Sequence, residues 1–258
     1  MNDSLSFLGQ ISDEDKLLAG RVLDSIRLSE DKYINKFTFF LDEHQRALCE
    51  KVLASVCFKN YMFFGGYETA ERNVLGIFAP YNDPDEKDFP IKALSFSYRP
   101  ADRLSHRDFL GCLMSLGIER DTVGDIIVSD GKTAVFLYET VSGRAVMIDK
   151  IGRVGVKVNE GFDLSIIPKQ EYIVIEGTVA SLRIDSVLGL VLRISREKAS
   201  ALIRSGNIQL NHTVNTSTDH KLAAGDIISA RGYGKFRLDE IGALTKKERI
   251  HIVVKKFK

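Results

Sequence analysis

Residues 183–206 read RIDSVLGLVLRISREKASALIRSG, and the spacing of their apolar positions decides the fold of the C-terminal part of the chain. Ile184, Val187, Leu188, Val191 and Leu192 fall at i, i+3, i+4, i+7 and i+8, which predicts a helix burying one stripe. Ser195 is placed to cap a second helix over Arg196–Ser205, with Glu197 in its first turn, Arg204 in its last and Gly206 as a left-handed stop. Ala199, Leu202 and Ile203 supply the buried face of that helix. Arg196, Ser200 and Arg204 stand at i, i+4 and i+8, a row along one edge suited to following a phosphate backbone. Beyond Gly206, Ile208 and Leu210 alternate with polar residues, Asn211-His212 reads as a tight turn, and Gly225-Asp226 leads into Ile227, Ile228 and Arg231. Two short helices feeding a small sheet make a unit too small to be an enzyme by itself and a good size for binding RNA.

The charge distribution points the same way. The 258-residue chain has 36 Lys and Arg against 35 Asp and Glu, a formal charge of +1. From Ser181 to Lys258, however, fifteen basic residues face seven acidic ones, net +8, which leaves residues 1–180 at net −7. The neutrality is a cancellation, and the basic end predicts a polyanion partner; a solvated basic face without one is the alternative. At 44% hydrophobic and 28% charged, the composition excludes disordered, collagenous and disulfide-scaffold classes and suits one large domain or two to three small ones. Cys49, Cys57 and Cys112 are too scattered for a disulfide framework and form no C-x-x-C pair, so they are expected as buried small hydrophobes in a reducing cytoplasm. The N-terminus lacks a basic region followed by an apolar run, and no window approaches about eighteen uninterrupted apolar residues, so neither a secretory signal nor a membrane span is expected.

Upstream, residues 1–60 read as helical, with Leu17, Leu18, Val22 and Ile26 at helical spacing and no proline before Pro80. From Tyr61 short β-rich runs appear, around MFFGGY, Val74–Pro80 and Lys92–Arg99, followed by a helical pattern over Arg103–Leu116. Further strands are expected at Ile126–Val128, Thr133–Tyr138 and near Val154–Val158, with a helix from Val141 to about Ile151. The reading is an α+β chain: a helical N-terminal region over 1–70, a central α+β sandwich over 71–168, a linker over 169–180 and the basic unit over 181–258.

Arg183-Ile184-Asp185, Ser195-Arg196, Leu202-Ile203, Gly206, Asn211 and Gly225-Asp226 together resemble the S-four RNA-binding domain, named after a small-subunit ribosomal protein. His212 departs from that family, which has glycine after the asparagine. The likeness extends further. His106-Arg107-Asp108-Phe109-Leu110-Gly111, Leu116-Gly117-Ile118, Gly124-Asp125-Ile126 and residues 228–236, ISARGYGKF, are similar to the bacterial YlmH family over nearly the whole chain. That resemblance implies an N-terminal helical region, a central domain like an RNA-recognition fold and a terminal S-four domain. It further implies cytoplasmic RNA binding, association with the large ribosomal subunit and a role in rescuing stalled translation by holding peptidyl-tRNA.

The residues expected at RNA are Arg183, Arg193, Ser195, Arg196, Lys198, Arg204, Asn211, Arg231, Tyr233, Lys235 and Arg237, because folded RNA is gripped through phosphate, shape and the 2′-hydroxyl. Gly232 and Gly234 flank Tyr233 where bare backbone can approach phosphate and the ring can stack on an unpaired base. Two alternatives stay open: Tyr233 packing on the sheet, and Arg183 pairing internally with Asp185 or a neighbour.

A pseudouridine-synthase-type RNA-modifying enzyme is the rival reading, since Arg183-Ile184-Asp185 with Gly189-Leu190-Val191-Leu192 is superficially like its catalytic motif. The glycine comes one residue early, no threonine or serine precedes it, and seventy-three residues after Asp185 leave little room for a catalytic domain. A second rival is a cell-division or translation adaptor whose acidic region binds a basic protein. His106-Arg107-Asp108 lacks the asparagine and glycine loop of a kinase, and Ser105 or Asp108 as a helix cap explains it better. Asp83, Asp85, Glu86 and Asp88 lack the glycine and terminal glutamate of a calcium loop, and the five histidines show no metal spacing. No catalytic set, metal or small-molecule cofactor is expected. No heptad repeat requires a dimer, and a monomer is expected.

Overall fold

The computed structural model describes residues 12–167, 171–211, 213–245 and 248–257. The chain divides into two compact units, residues 1–168 and 169–258. Both mix helices with antiparallel sheets, an α+β architecture.

The first unit opens with α1 (Asp13–Lys32), capped by the Ser12 side chain, which accepts from the Asp15 backbone N–H. It is followed by β1 (Lys36–Leu41), α2 (Glu43–Ser55), β2 (Tyr61–Phe64) and β3 (Asn73–Ile77), and the strands form a sheet in the order β1-β3-β2. The expectation of a wholly helical start therefore needs correction: KFTFFL at 36–41 is a strand. Its aromatic and β-branched content suits a sheet, and its antiparallel partner is β3, some way further along the chain. Cys49 is buried as expected, and burial pushes its thiol up to about 12. Cys57, in contrast, is exposed, at a left-handed φ of 54° just past α2.

The central part comprises β4 (Ile91–Ser97), α3 (His106–Ser115), β5 (Val123–Ser129), β6 (Lys132–Tyr138), α4 (Glu139–Val146), the short hairpin β7 (Lys150–Ile151) and β8 (Val154–Gly155), and β9 (Lys157–Glu160). Setting the short hairpin aside, the order of elements is β-α-β-β-α-β and the sheet order is β5-β6-β4-β9, all pairs antiparallel. Strand alternation sends Leu94, Phe96, Val135 and Leu137 to one face, where α3 and α4 cover them with Phe109, Leu113, Val141 and Ala145. The opposite face, with Ile127, Ala134 and Phe136, is covered as well: Phe40, Val74, Phe78 and Phe89 complete that core.

Two groups of residues that marked the central region by sequence turn out to organise it. Asp108 accepts from the Ser105 backbone N–H at 2.8 Å and hydroxyl at 2.6 Å, fixing the start of α3 and holding the Asp108 carboxyl below its ordinary range. Asp125 accepts from the Tyr67 hydroxyl at 2.7 Å and from the backbone N–H groups of Glu71 and Arg72. Arg72 in turn donates to the carbonyls of Val123 and Phe40, so one carboxylate and one guanidinium tie β1, the loop before β3, and β5 together. Burial first, then the bond to Asp125, pushes the Tyr67 phenol up. Gly124 is needed for the same junction, since a Cβ there would stand 2.6 Å from the ring of Phe40, which is 1% exposed. Gly124→Ala is accordingly expected to destabilise this unit by about 1–3 kcal/mol, read as a lower urea midpoint at unchanged slope.

The second unit contains β10 (Tyr172–Val179), α5 (Ile184–Leu192), α6 (Arg196–Arg204), β11 (Ile208–Leu210), β12 (Thr213–Val214), β13 (Ile227–Ala230), β14 (Gly234–Leu244) and β15 (Ile250–Phe257). They form one antiparallel sheet in the order β10-β15-β14-β13-β11-β12. The segment expected to be a linker over 169–180 is mostly the edge strand β10, paired along its full length with β15 from Tyr172↔Phe257 to Val179↔Ile250. The β-branched run Tyr172–Ile175 finds its partner at the far end of the chain, which local reading does not reveal. Most of the predicted stripe is buried: Ile184, Val187, Leu188, Val191, Ala199 and Ile203 pack on Ile208, Ile228, Phe236, Leu238, Ile252 and Val254 of the sheet, and Leu192 and Leu202 are partly buried against them.

Candidate nucleic-acid interface

The two helices join through a tight connection. The chain leaves α5 at Arg193 in the left-handed region, φ 54°, and its backbone N–H closes onto the carbonyls of Gly189 and Leu190. Ser195 then caps α6, its hydroxyl accepting from the Lys198 N–H at 3.2 Å, and Gly206, at φ 72°, ends it as predicted. Arg193, Arg196, Lys198 and Arg204 are all exposed. Among the described residues, Arg193, Lys198 and Arg204 have no carboxylate partner.

Arg196 and Arg183 are differently placed. Arg183 donates through Nε and Nη2 to the two oxygens of Asp185, at 3.2 and 3.1 Å, and Arg196 does the same at 3.0 and 3.3 Å. One carboxylate, 4% exposed, thus holds two forked guanidiniums whose side chains remain 35% and 57% exposed. Burial acts to raise the Asp185 carboxyl, but the bonds from Arg183 and Arg196 outweigh it and hold it below the usual range. This arrangement fastens the start of α5 to the start of α6. It also leaves the Arg-Ile-Asp triplet without the accessible carboxylate that attack on a base would need.

Asn211 is likewise engaged inside the fold. At φ 46° it donates to Asp226 at 2.9 Å and accepts from the Ile227 N–H at 2.9 Å, while Asp226 accepts from the Ala223 N–H. The Asn211 and Gly225-Asp226 signals are therefore two halves of one clasp between β11 and β13. His212 lies outside the described residues.

The remaining predicted residues gather at the hairpin joining β13 to β14. Arg231 and Tyr233 are exposed at its turn, Tyr233 to 41%, and Gly232 and Gly234 take φ of 85° and 111° that make the turn possible. Lys235 and Arg237 follow on the face of β14 opposite the buried Phe236 and Leu238. Sequence reading missed what stands beside them. Register puts Lys255 opposite Arg237 and also opposite Val174, and puts Tyr172 opposite Phe257. The Lys235 ammonium lies 5.2 Å from the Phe257 ring centroid, and Arg237 and Lys255 lie 5.6 and 5.7 Å from that of Tyr172. Asp239 pairs with Arg237 at 2.7 Å and Lys255 at 2.6 Å, contacts that hold its carboxyl low, the bond from Lys255 foremost. Alternation along KKF at 255–257 hinted at an outward lysine, but not at what it would face.

Residues 84–162, the central β-α-β-β-α-β part, match the family described as a putative RNA-binding domain in YlmH. The chain is 32% identical over 253 residues to the ribosome-associated protein quality control protein P2 of Bacillus subtilis (strain 168), covering 95% of this chain and 96% of that protein. The chain belongs to the YlmH family. A solved structure titled cell division protein ylmH from Streptococcus pneumoniae is similar in fold, with a TM-score of 0.50 at 22% identity over 59% of this chain and 94% of that one.

Within this YlmH-family chain the central sheet has no open face for bases. RNA-recognition sheets stack bases on exposed aromatic residues, whereas Phe136, Phe40 and Phe78 are 0–1% exposed and Phe89 is 6% exposed. The acidic loop at 83–88 is occupied structurally, Asp85 accepting from the Lys87 N–H to start a single helical turn over Glu86–Asp88.

Proposed function

We propose that this protein is a non-enzymatic, cytoplasmic RNA-binding protein that acts on the large ribosomal subunit in the rescue of stalled translation, gripping folded ribosomal RNA or tRNA with its C-terminal S-four-like unit. The observation that carries the reading is the full-length similarity to a ribosome-associated quality control protein. The exposed cations Arg193, Lys198 and Arg204 of the α5–α6 pair support it, as do the part-exposed guanidiniums of Arg183 and Arg196 and, on the hairpin, Arg231 and Tyr233. Ser195 serves this surface by capping α6, and Asn211 holds β11 to β13. The acidic balance of residues 1–180 limits indiscriminate binding to polyanions and leaves recognition to the basic unit.

Sedimentation of the full chain with purified bacterial ribosomal subunits over a salt series tests the proposal. The protein is expected to travel with the large subunit and to be released as salt rises, because each phosphate contact exchanges condensed counterions for a protein cation. Co-sedimentation that is indifferent to salt, or confined to the small subunit, contradicts it.

A further inference from the structure

The α5–α6 surface accounts for one side of the second unit only. On the other side the sheet is open, and its outward residues are ordered by register into rows. Tyr172 lies across from Phe257 in one row, and Val174, Lys255 and Arg237 share the next. Three cations and two rings thus occupy one end of this face, with Asp239 pairing Arg237 and Lys255. Further along the same strands Glu176 and Glu240 flank Val253, so the basic patch has a definite acidic limit. It also continues toward the exposed Arg231 and Tyr233 at the hairpin turn.

We propose that Tyr172, Lys235, Arg237, Lys255 and Phe257 form a second RNA-binding face, which holds the phosphate backbone of an RNA segment other than the one on the α5–α6 face. This rests on the RNA-binding reading above. Two features argue for RNA as the occupant. Lys235, Arg237 and Lys255 bring three cations to the face beside Asp239, a chemistry complementary to phosphate. Its cations are held in place over rings and against a carboxylate, so less side-chain freedom is lost when phosphate arrives. Because α5 and α6 cover the opposite side of the sheet, one RNA segment lying along the helices does not reach these residues. The consequence is a unit that bridges two RNA segments.

Binding of the full chain to bulk tRNA, measured by fluorescence anisotropy over a salt series, tests this. Lys235→Gln/Lys255→Gln is expected to weaken binding about tenfold and to reduce the slope of log affinity against log salt by about 1.5, near 0.7–0.9 for each phosphate contact. Lys235→Arg/Lys255→Arg, which keeps charge and reach, is expected to bind as the parent does, and an unchanged thermal midpoint separates lost contact from lost fold. If the glutamine pair binds with parental affinity and slope while Arg193→Gln/Lys198→Gln/Arg204→Gln binds weakly, the second face is wrong and the first stands. If neither set changes binding, or the parent fails to bind at low salt, both fall.

Discussion

Arg193→Gln/Lys198→Gln/Arg204→Gln is expected to lower RNA affinity about 100-fold near 0.1 M salt and to take about two from the salt slope. The three side chains are exposed and have no carboxylate partner among the described residues, so their charge is available to phosphate and their loss leaves no buried group unsatisfied. Stability should change by no more than about 0.5 kcal/mol, as for most surface substitutions. Arg196 is unsuitable for the same purpose. Its guanidinium also secures Asp185, and reversing its charge would set two carboxylates against each other at the joint of the two helices. Titration with bulk tRNA alongside a thermal melt separates these effects: weak binding at an unchanged midpoint is the expected pair of results.

Asp185→Ala is expected to have the largest effect on the fold of the C-terminal unit. The carboxylate is 4% exposed and receives four N–H donors from two arginines. Removal leaves both forks facing one another without the anion between them. Breaking a wholly buried pair costs about 3–5 kcal/mol, but the arginine side chains are 35% and 57% exposed and can turn to water, so about 1–3 kcal/mol is the better expectation. The same site sets a pH dependence. Because the folded-state carboxyl lies below its unfolded value of about 3.9, its contribution is complete above that pH and is lost as pH falls through the lower, folded value. Melting curves between neutral and acid pH should therefore show the parent losing its advantage over the alanine variant at the acid end. RNA from cells carrying the variant is expected to keep its base modifications, measured by mass spectrometry, whereas a pseudouridine-type activity at Asp185 would make one disappear.

What could be read from sequence depended on how far apart the interacting residues lie. The helix pair was legible because a buried stripe repeats every three or four residues, and because Ser195 and Gly206 mark the ends of α6 by local chemistry. Strand β1 and edge strand β10 were not, since each is completed by a distant partner: β3 in one case and the last strand of the chain in the other. The site shows the same division. Cations spaced along α6 were evident, and Asp185 as a partner for Arg183 was visible two residues away. The second claim on that carboxylate, by Arg196 eleven residues later, appears only when the two helix starts meet. Asn211 and Gly225-Asp226 were recognised as a pattern, and the structure shows that they form one clasp supporting the backbone between β11 and β13. What Tyr172 and Lys255 stand beside has no local mark, because only the register of β10, β15 and β14 sets them next to Arg237.

Cross-linking of the full chain to large ribosomal subunits carrying peptidyl-tRNA, with the joined peptides identified by mass spectrometry, tests the central claim most directly. The account predicts peptides from residues 183–206 and from the strands holding Tyr172, Lys235 and Lys255, joined to ribosomal RNA or tRNA. Cross-links confined to residues 12–167, with none in the basic unit, would contradict it.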